Sequence, residues 1–171
     1  GKETQADDET RPAIDLLIER GYLSETRPSV IEHPYTHYLR LFLDRKIDKI
    51  TLQVTQQCNF RCKYCIYSED KNLKQRTHSF KKMTWETAKK AVDFLWEHSA
   101  DSPKVNIGFY GGEPLLEFGL IQKVIEYVES RFKGKPATFT ITVNGSLLTD
   151  RIAEYFIAHD VSTMISLDGP K

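Results

Sequence analysis

Three features of the sequence predict an α/β fold built on a parallel sheet. A strand-then-helix unit of about 30 residues repeats from Ile50 onward. Within each strand, apolar and polar residues alternate. Each strand also ends in an unusual short motif, and strand ends are where parallel α/β barrels gather their active sites.

The first predicted strand is Ile50 to Thr55. It leads into a loop holding every cysteine and then a helix from Thr84 to Ser99, with Ala88, Ala91, Val92, Leu95 and Trp96 on one face. The second strand, Val105 to Tyr110, precedes a helix marked by Ile121, Val124, Ile125, Val128 and Phe132 and stopped by Gly134 and Pro136. A strand from Thr138 to Val143, a helix from Thr149 through Phe156 and a strand from Val161 to Leu167 complete the order βαβαβαβ. Such alternation predicts parallel pairing with right-handed crossovers.

Strand parity divides the sheet into two faces. Ile50, Leu52 and Val54, then Val105, Ile107 and Phe109, then Phe139, Ile141 and Val143, then Val161, Ile165 and Leu167 form an apolar face suited to packed helices. The opposite face carries Thr51, Gln53, Thr55, Asn106, Gly108, Tyr110, Thr138, Thr140, Thr142, Ser162, Met164 and Ser166. A filled barrel core is rich in branched apolar residues, so this polar face is expected to line a cavity for a polar ligand. An antiparallel sheet with one wet face alternates in the same way, but the intervening helices favour parallel strands. Four βα units make only half of an eightfold barrel, which takes about 250 residues. Residues 50–171 therefore read as the N-terminal half of a partial TIM barrel, truncated after about four strands, with the fourth strand as an unpaired edge.

Residues 1–10 are polar and acidic without apolar periodicity and are expected to be disordered. Residues 11–49 read as a helical N-terminal extension. Thr10 suits a cap, Pro12 a first turn, Ile14, Leu17 and Ile18 an apolar stripe, and Gly21 a stop. Tyr35, Tyr38, Leu39, Phe42 and Leu43 then recur at helical spacing before Arg45 and Lys46, a stripe expected to pack into the core. A start at Gly1 and an end at Lys171 read as cut ends, so the sequence is expected to be a fragment of a longer protein.

Composition excludes several classes. Lys and Arg number 24 and so do Asp and Glu, which leaves no net field to recruit nucleic acid. No apolar run approaches the roughly 20 residues of a membrane span, and no stretch of the sequence reads as a signal peptide. Three cysteines is an odd count, which argues against a disulfide framework and for a reducing, cytoplasmic setting.

All three cysteines lie in Cys58-Asn-Phe-Arg-Cys62-Lys-Tyr-Cys65, spaced C-x3-C-x2-C. Only a curled loop brings three such positions to one soft-metal centre. A closed zinc site needs four ligands, and the five histidines, His33, His37, His78, His98 and His159, are scattered. Three thiolates suit a four-iron four-sulfur cluster with one open iron, while a partly filled zinc site is the other reading.

The triplet with Tyr64 before its third cysteine resembles the signature of the radical S-adenosylmethionine (radical SAM) enzymes. That resemblance implies a 4Fe-4S cluster on Cys58, Cys62 and Cys65, whose open iron chelates the methionyl group of S-adenosylmethionine, with Tyr64 near the adenine. The run FYGGEPLLE, Phe109 to Glu117, follows some 50 residues later and resembles the family's GGE segment. By resemblance, Gly111, Gly112 and Glu113 hold the methionyl amino group. Thr142, Val143, Asn144 and Gly145 resemble a TNG strand end, with valine where threonine is common, and place Thr142 or Asn144 on the cofactor. Ser166, Leu167 and Asp168 resemble the SLD strand end, which implies a ribose or carboxylate contact for Ser166 and places Asp168 among the cofactor-binding residues.

Over residues 33–171 the order of motifs is most similar to peptide maturases with a carboxyl-terminal SPASM domain. The resemblance implies reductive cleavage of S-adenosylmethionine, hydrogen abstraction by the 5'-deoxyadenosyl radical, and thioether crosslinking at cysteine in a ribosomal precursor peptide, with an electron donor as second partner. Anaerobic sulfatase maturases are near relatives. In such enzymes a winged-helix module reads the leader peptide, and the helix after Thr10 reads as a remnant of one or, preferably, as a helix that packs on the barrel rim. Five basic residues between Glu69 and Lys82 (Lys71, Lys74, Arg76, Lys81 and Lys82) read as a solvated loop, with an acidic leader peptide as the alternative occupant. The alternative to an enzyme is a catalytically incompetent metal-binding or oligomerising half barrel, a homodimer through its fourth-strand edge.

Overall fold

Four segments of alternating polarity pair in sequence order. They are β1 (Lys49–Thr55), β2 (Val105–Gly111), β3 (Ala137–Val143) and β4 (Val161–Ile165), all parallel in one sheet. The computed structural model describes residues 10–22, 29–65, 67 and 78–167. Register sets Ile50 beside Ile107, Ile107 beside Phe139 and Phe139 beside Val161, so the apolar positions fall in rows on one face. The expected parallel α/β half barrel is observed, with ends shifted by one or two residues.

Helices cover that apolar face. α3 (Trp85–His98) buries Ala88, Val92 and Leu95, and α4 (Phe118–Arg131) buries Ile121, Val124, Ile125 and Val128. α5 (Asp150–Ala158) adds Phe156 to the same core. Burying each Leu, Ile or Val contributes about 1.5–3 kcal/mol, so these faces hold the helices to the sheet. Thr84 and Thr149 cap α3 and α5 by accepting the N–H of Thr87 and Ile152. Lys135 closes the far end of α3 by donating to the carbonyl of Ser99.

Two compact units are present, Gly1–His37 and Tyr38–Lys171. The first contains α1 (Arg11–Glu19), closed by a Schellman turn in which Gly21 at φ 82° donates to Ile18 and Tyr22 donates to Leu17. Residues 1–9, expected to be disordered, lie outside the described residues, as does Pro28 in the expected link. The second unit begins with α2 (Leu39–Arg45), which thus belongs with the sheet.

Two expectations are corrected. The stripe on α2 is not buried: Leu39, Phe42 and Leu43 are each about half exposed. This helix is held through its end instead, by the Arg45–Asp101 ion pair and by the Leu43 carbonyl on His98 Nδ1. The apolar face also stops short at β4, where Ile165 is 43% and Leu167 81% exposed. α5 precedes β4, and among the described residues no helix follows to cover the strand's far end.

Candidate functional site

The carboxyl ends of all four strands meet at a cleft of about 610 Å³. Its lining includes Cys58, Cys62, Tyr64 and Cys65 from the loop after β1, Gly111 and Gly112 after β2, Thr142 and Asn144 at the end of β3, and Ser166 after β4. The fold thus brings together nine of the sequence-predicted site residues. Asp168 lies outside the described residues. Glu113 is fully buried and does not line the cleft.

A bulge at Gln53/Thr55 ends the β1 ladder and turns the chain into the cysteine loop. Gln57 N donates to Thr55 Oγ1 at 3.1 Å, while Gln56 N and Met83 N bond to Lys81 O and Val54 O. The loop is curled by Phe60 N–H donating to Cys58 Sγ at 3.3 Å and Cys65 N–H donating to Cys62 O at 3.1 Å. Arg61 spans the same turn and donates to the carbonyls of Cys58 and Phe60. All three cysteines are partly exposed, and none is in a disulfide. Among the described residues, no three His, Cys, Asp or Glu side chains are grouped closely enough to hold a single metal ion.

The paired glycines line the cleft and also pack against the loop after β1. A Cβ on Gly111 would stand 2.3 Å from Thr55 O, and one on Gly112 2.2 Å from Gln57 O. Gly112 N and Glu113 N donate to those same two carbonyls at 3.1 and 2.8 Å. The close approach therefore serves the loop after β1 first, with the cleft beside it. Glu113 braces the next strand: Oε1 accepts Leu115 N–H at 3.0 Å and Oε2 accepts Asn144 N–H at 2.8 Å.

Six lining residues escaped the sequence reading as site residues: Phe60, Tyr67, Tyr110, Val143, Ser146 and Leu167. Tyr110 was legible from its inward parity at a strand end. Tyr67 is buried and held by Gln53 Nε2 at 3.2 Å, a contact no local signal announces. Lower on the polar face a second cleft of about 330 Å³ is floored by Asn106, Thr138 and Thr140, whose side chains bond to one another. The expected polar inner face is thus present at both ends of the sheet.

A parallel half barrel whose strand ends enclose a three-cysteine loop defines the class, and comparison identifies it. Residues 52–171 match the Radical SAM superfamily, and the chain belongs to that family. It is 28% identical to the radical SAM cyclopropyl synthase TigE of Paramaledivibacter caminithermalis, over 95% of this chain and 36% of that protein. It is 31% identical to the serine-type anaerobic sulfatase-maturating enzyme of Bacteroides thetaiotaomicron, over 67% of this chain and 27% of that one. The structure of native anSMEcpe with bound AdoMet shares the fold at a TM-score of 0.61 and 23% identity, over 73% of this chain and 33% of that one. The chain spans 27–38% of the length of the first curated relatives it matches. The family uses a 4Fe-4S cluster and S-adenosylmethionine. Among the described residues no helix is long and apolar enough to cross a membrane.

Proposed function

We propose that this chain carries the cluster and S-adenosylmethionine site of a radical SAM enzyme that modifies a ribosomal peptide by thioether crosslinking at cysteine. The observation that carries this reading is the gathering of three cysteines and the ends of β2, β3 and β4 on one cleft. The donor set fits the cluster. Each thiolate of a cubane holds a different iron, so its ligands need not converge on one point as those of a single ion must. Three cysteines supply thiolates for three of the four irons, which leaves one iron without a thiolate from this loop.

When bound, the reduced cluster supplies the electron that cleaves the sulfur–C5' bond of S-adenosylmethionine and so generates a hydrogen-abstracting radical. The chain's part is to hold and enclose these groups. Cys58, Cys62 and Cys65 hold the cluster, and Gly111, Gly112, Thr142, Asn144 and Ser166 flank S-adenosylmethionine, with Asp168 after them and Tyr64 at the adenine. Glu113 acts from beneath, because its carboxylate fixes the backbone of Asn144. The peptide enters over the cleft, and the electron donor reaches the exposed side of the cysteine loop. The similarity to a serine-type anaerobic sulfatase-maturating enzyme favours a second reading, an anaerobic sulfatase-maturase-like enzyme.

Anaerobic reconstitution with iron and sulfide, then reduction and low-temperature electron paramagnetic resonance, tests the site. The expected result is a four-iron signal that shifts on adding S-adenosylmethionine. Stoichiometric zinc without a cluster overturns the reading. Incubation of the full-length protein with a cysteine-containing precursor peptide tests the activity, and crosslinking removes two hydrogen atoms per bond. A further reading, that the half barrel dimerises through its fourth strand, is favoured by the place of β4 at the edge of the sheet among the described residues. A concentration-independent monomer mass in sedimentation counts against it.

A further inference from the structure

We propose that Asn59, Asn144 and Ser146 are positioning residues that lock the cysteine loop to the end of β3 and aim an amide N–H at the sulfur of Cys58. The inference rests on the reading of Cys58 as a cluster ligand. It starts from a closed ring of side-chain hydrogen bonds between segments 85 residues apart. Asn144 Nδ2 donates to Asn59 Oδ1 at 2.9 Å, Asn59 Nδ2 donates to Ser146 Oγ at 2.8 Å, and Ser146 Oγ donates to Asn144 Oδ1 at 2.7 Å.

The ring has only one consistent set of donors and acceptors. Ser146 backbone N–H, which can only donate, points at Asn144 Oδ1 at 3.0 Å, so that atom is the carbonyl oxygen and the other is the NH2. The Asn144 NH2 then supplies one hydrogen to Asn59 and has a second to spare. Its nitrogen lies 3.9 Å from Cys58 Sγ, which already accepts the N–H of Phe60 at 3.3 Å. In the free thiol the Cys58 S–H faces Asn59 Oδ1 at 4.0 Å, and a metal-bound thiolate carries no such proton. Cys58 then receives two N–H donors.

Donors on a ligand sulfur stabilise added electron density, and hydrogen bonds to the sulfurs are among the settings of a cluster's potential. Asn59 and Ser146 are exposed, so they act through orientation: each holds the Asn144 amide in the rotamer that reaches Cys58. Without either side chain the amide loses part of its hold, keeping Ser146 N–H on Oδ1, so it spends less time on Cys58 and the cluster becomes harder to reduce.

Two readouts test this on Asn59→Ala, Ser146→Ala and Ser146→Thr, the last of which keeps the hydroxyl. On metal-free protein, hydrogen exchange over residues 56–62 is expected to quicken severalfold in the two alanine variants, with residues 138–143 unchanged and Ser146→Thr like wild type. On protein reconstituted without S-adenosylmethionine, a redox titration followed by electron paramagnetic resonance is expected to give a lower midpoint potential for the alanine variants and the wild-type value for Ser146→Thr. Unchanged exchange overturns the lock, and unchanged potentials overturn the aimed donor even where exchange quickens. Absence of a four-iron signal in wild type overturns the ligand reading of Cys58 and the aimed donor with it, while exchange on metal-free protein still decides the lock.

Discussion

Replacing Gly112 by alanine tests how the site is assembled, because the added methyl has nowhere to go. Its Cβ would lie 2.2 Å from Gln57 O, 2.5 Å from Gln57 C and 2.9 Å from Cys58 N, all backbone atoms. Ordinary contact begins near 3.4 Å, so the loop or the β2 end must move by about 1 Å. That movement strains the bonds from Gly112 N to Thr55 O and from Glu113 N to Gln57 O. Two lost hydrogen bonds at about 0.5–1.5 kcal/mol each, with overpacking of about 1–3 kcal/mol, give a cost of about 2–6 kcal/mol. A domain of this kind has roughly 5–15 kcal/mol in total. Urea unfolding with linear extrapolation measures the loss. Gly119→Ala is the matched control, since nothing lies within 4 Å of its Cβ in α4. It should gain about 0.5–1 kcal/mol from helix propensity. A Gly112→Ala protein within about 0.5 kcal/mol of wild type, at unchanged slope, would refute the steric argument.

Three other perturbations have worked signs. Glu113→Gln sets an NH2 against a backbone N–H at Leu115 or Asn144, so urea unfolding should show a loss of about 1–3 kcal/mol, and equal stability would show that the brace is dispensable. Hydrogen bonds from Lys89, then Tyr127, hold the Asp93 carboxyl below its ordinary range. The stability it contributes is present above the ordinary carboxylate pKa and is lost as pH falls through the lowered folded value, so Asp93→Asn should flatten the acid limb of a stability–pH curve. Burial, then the charges of Glu126 and Glu129, pushes the Tyr155 hydroxyl up to about 12. The stability tied to its neutral form is full below the ordinary value near 10 and is lost as pH rises from there through about 12. Tyr155→Phe should therefore resist alkaline unfolding better, at little cost near neutrality, because the buried hydroxyl has no hydrogen-bond partner among the described residues.

The strands and the sheet's helices were legible because each is written within one unit. Period-two alternation marks β1 to β3, and period-3.6 apolar rows mark α3 and α4, whose faces are buried where the pattern puts them. The aromatic stripe of α2 misled because periodicity reports an apolar face and says nothing about what covers it. Among candidate site residues, the cysteines, Gly111, Gly112, Thr142, Asn144 and Ser166, all of which line the cleft, were legible because they stand at strand ends in the sequence. Asn59 and Ser146 were not, since an asparagine between cysteines and a serine after Asn-Gly read as ordinary turn residues.

By itself, then, the sequence determined the parallel α/β order, the polar and apolar faces and the short motifs that end each strand. All of these are local patterns, repeated at a period the backbone imposes. Only the tertiary structure decided that the paired glycines press on the loop after β1, that Glu113 is buried to brace Asn144, and that Asn144 reaches back to Asn59 and Cys58. These contacts join residues 31 to 86 positions apart. Strand register and the path of the cysteine loop set them, and a local pattern encodes neither.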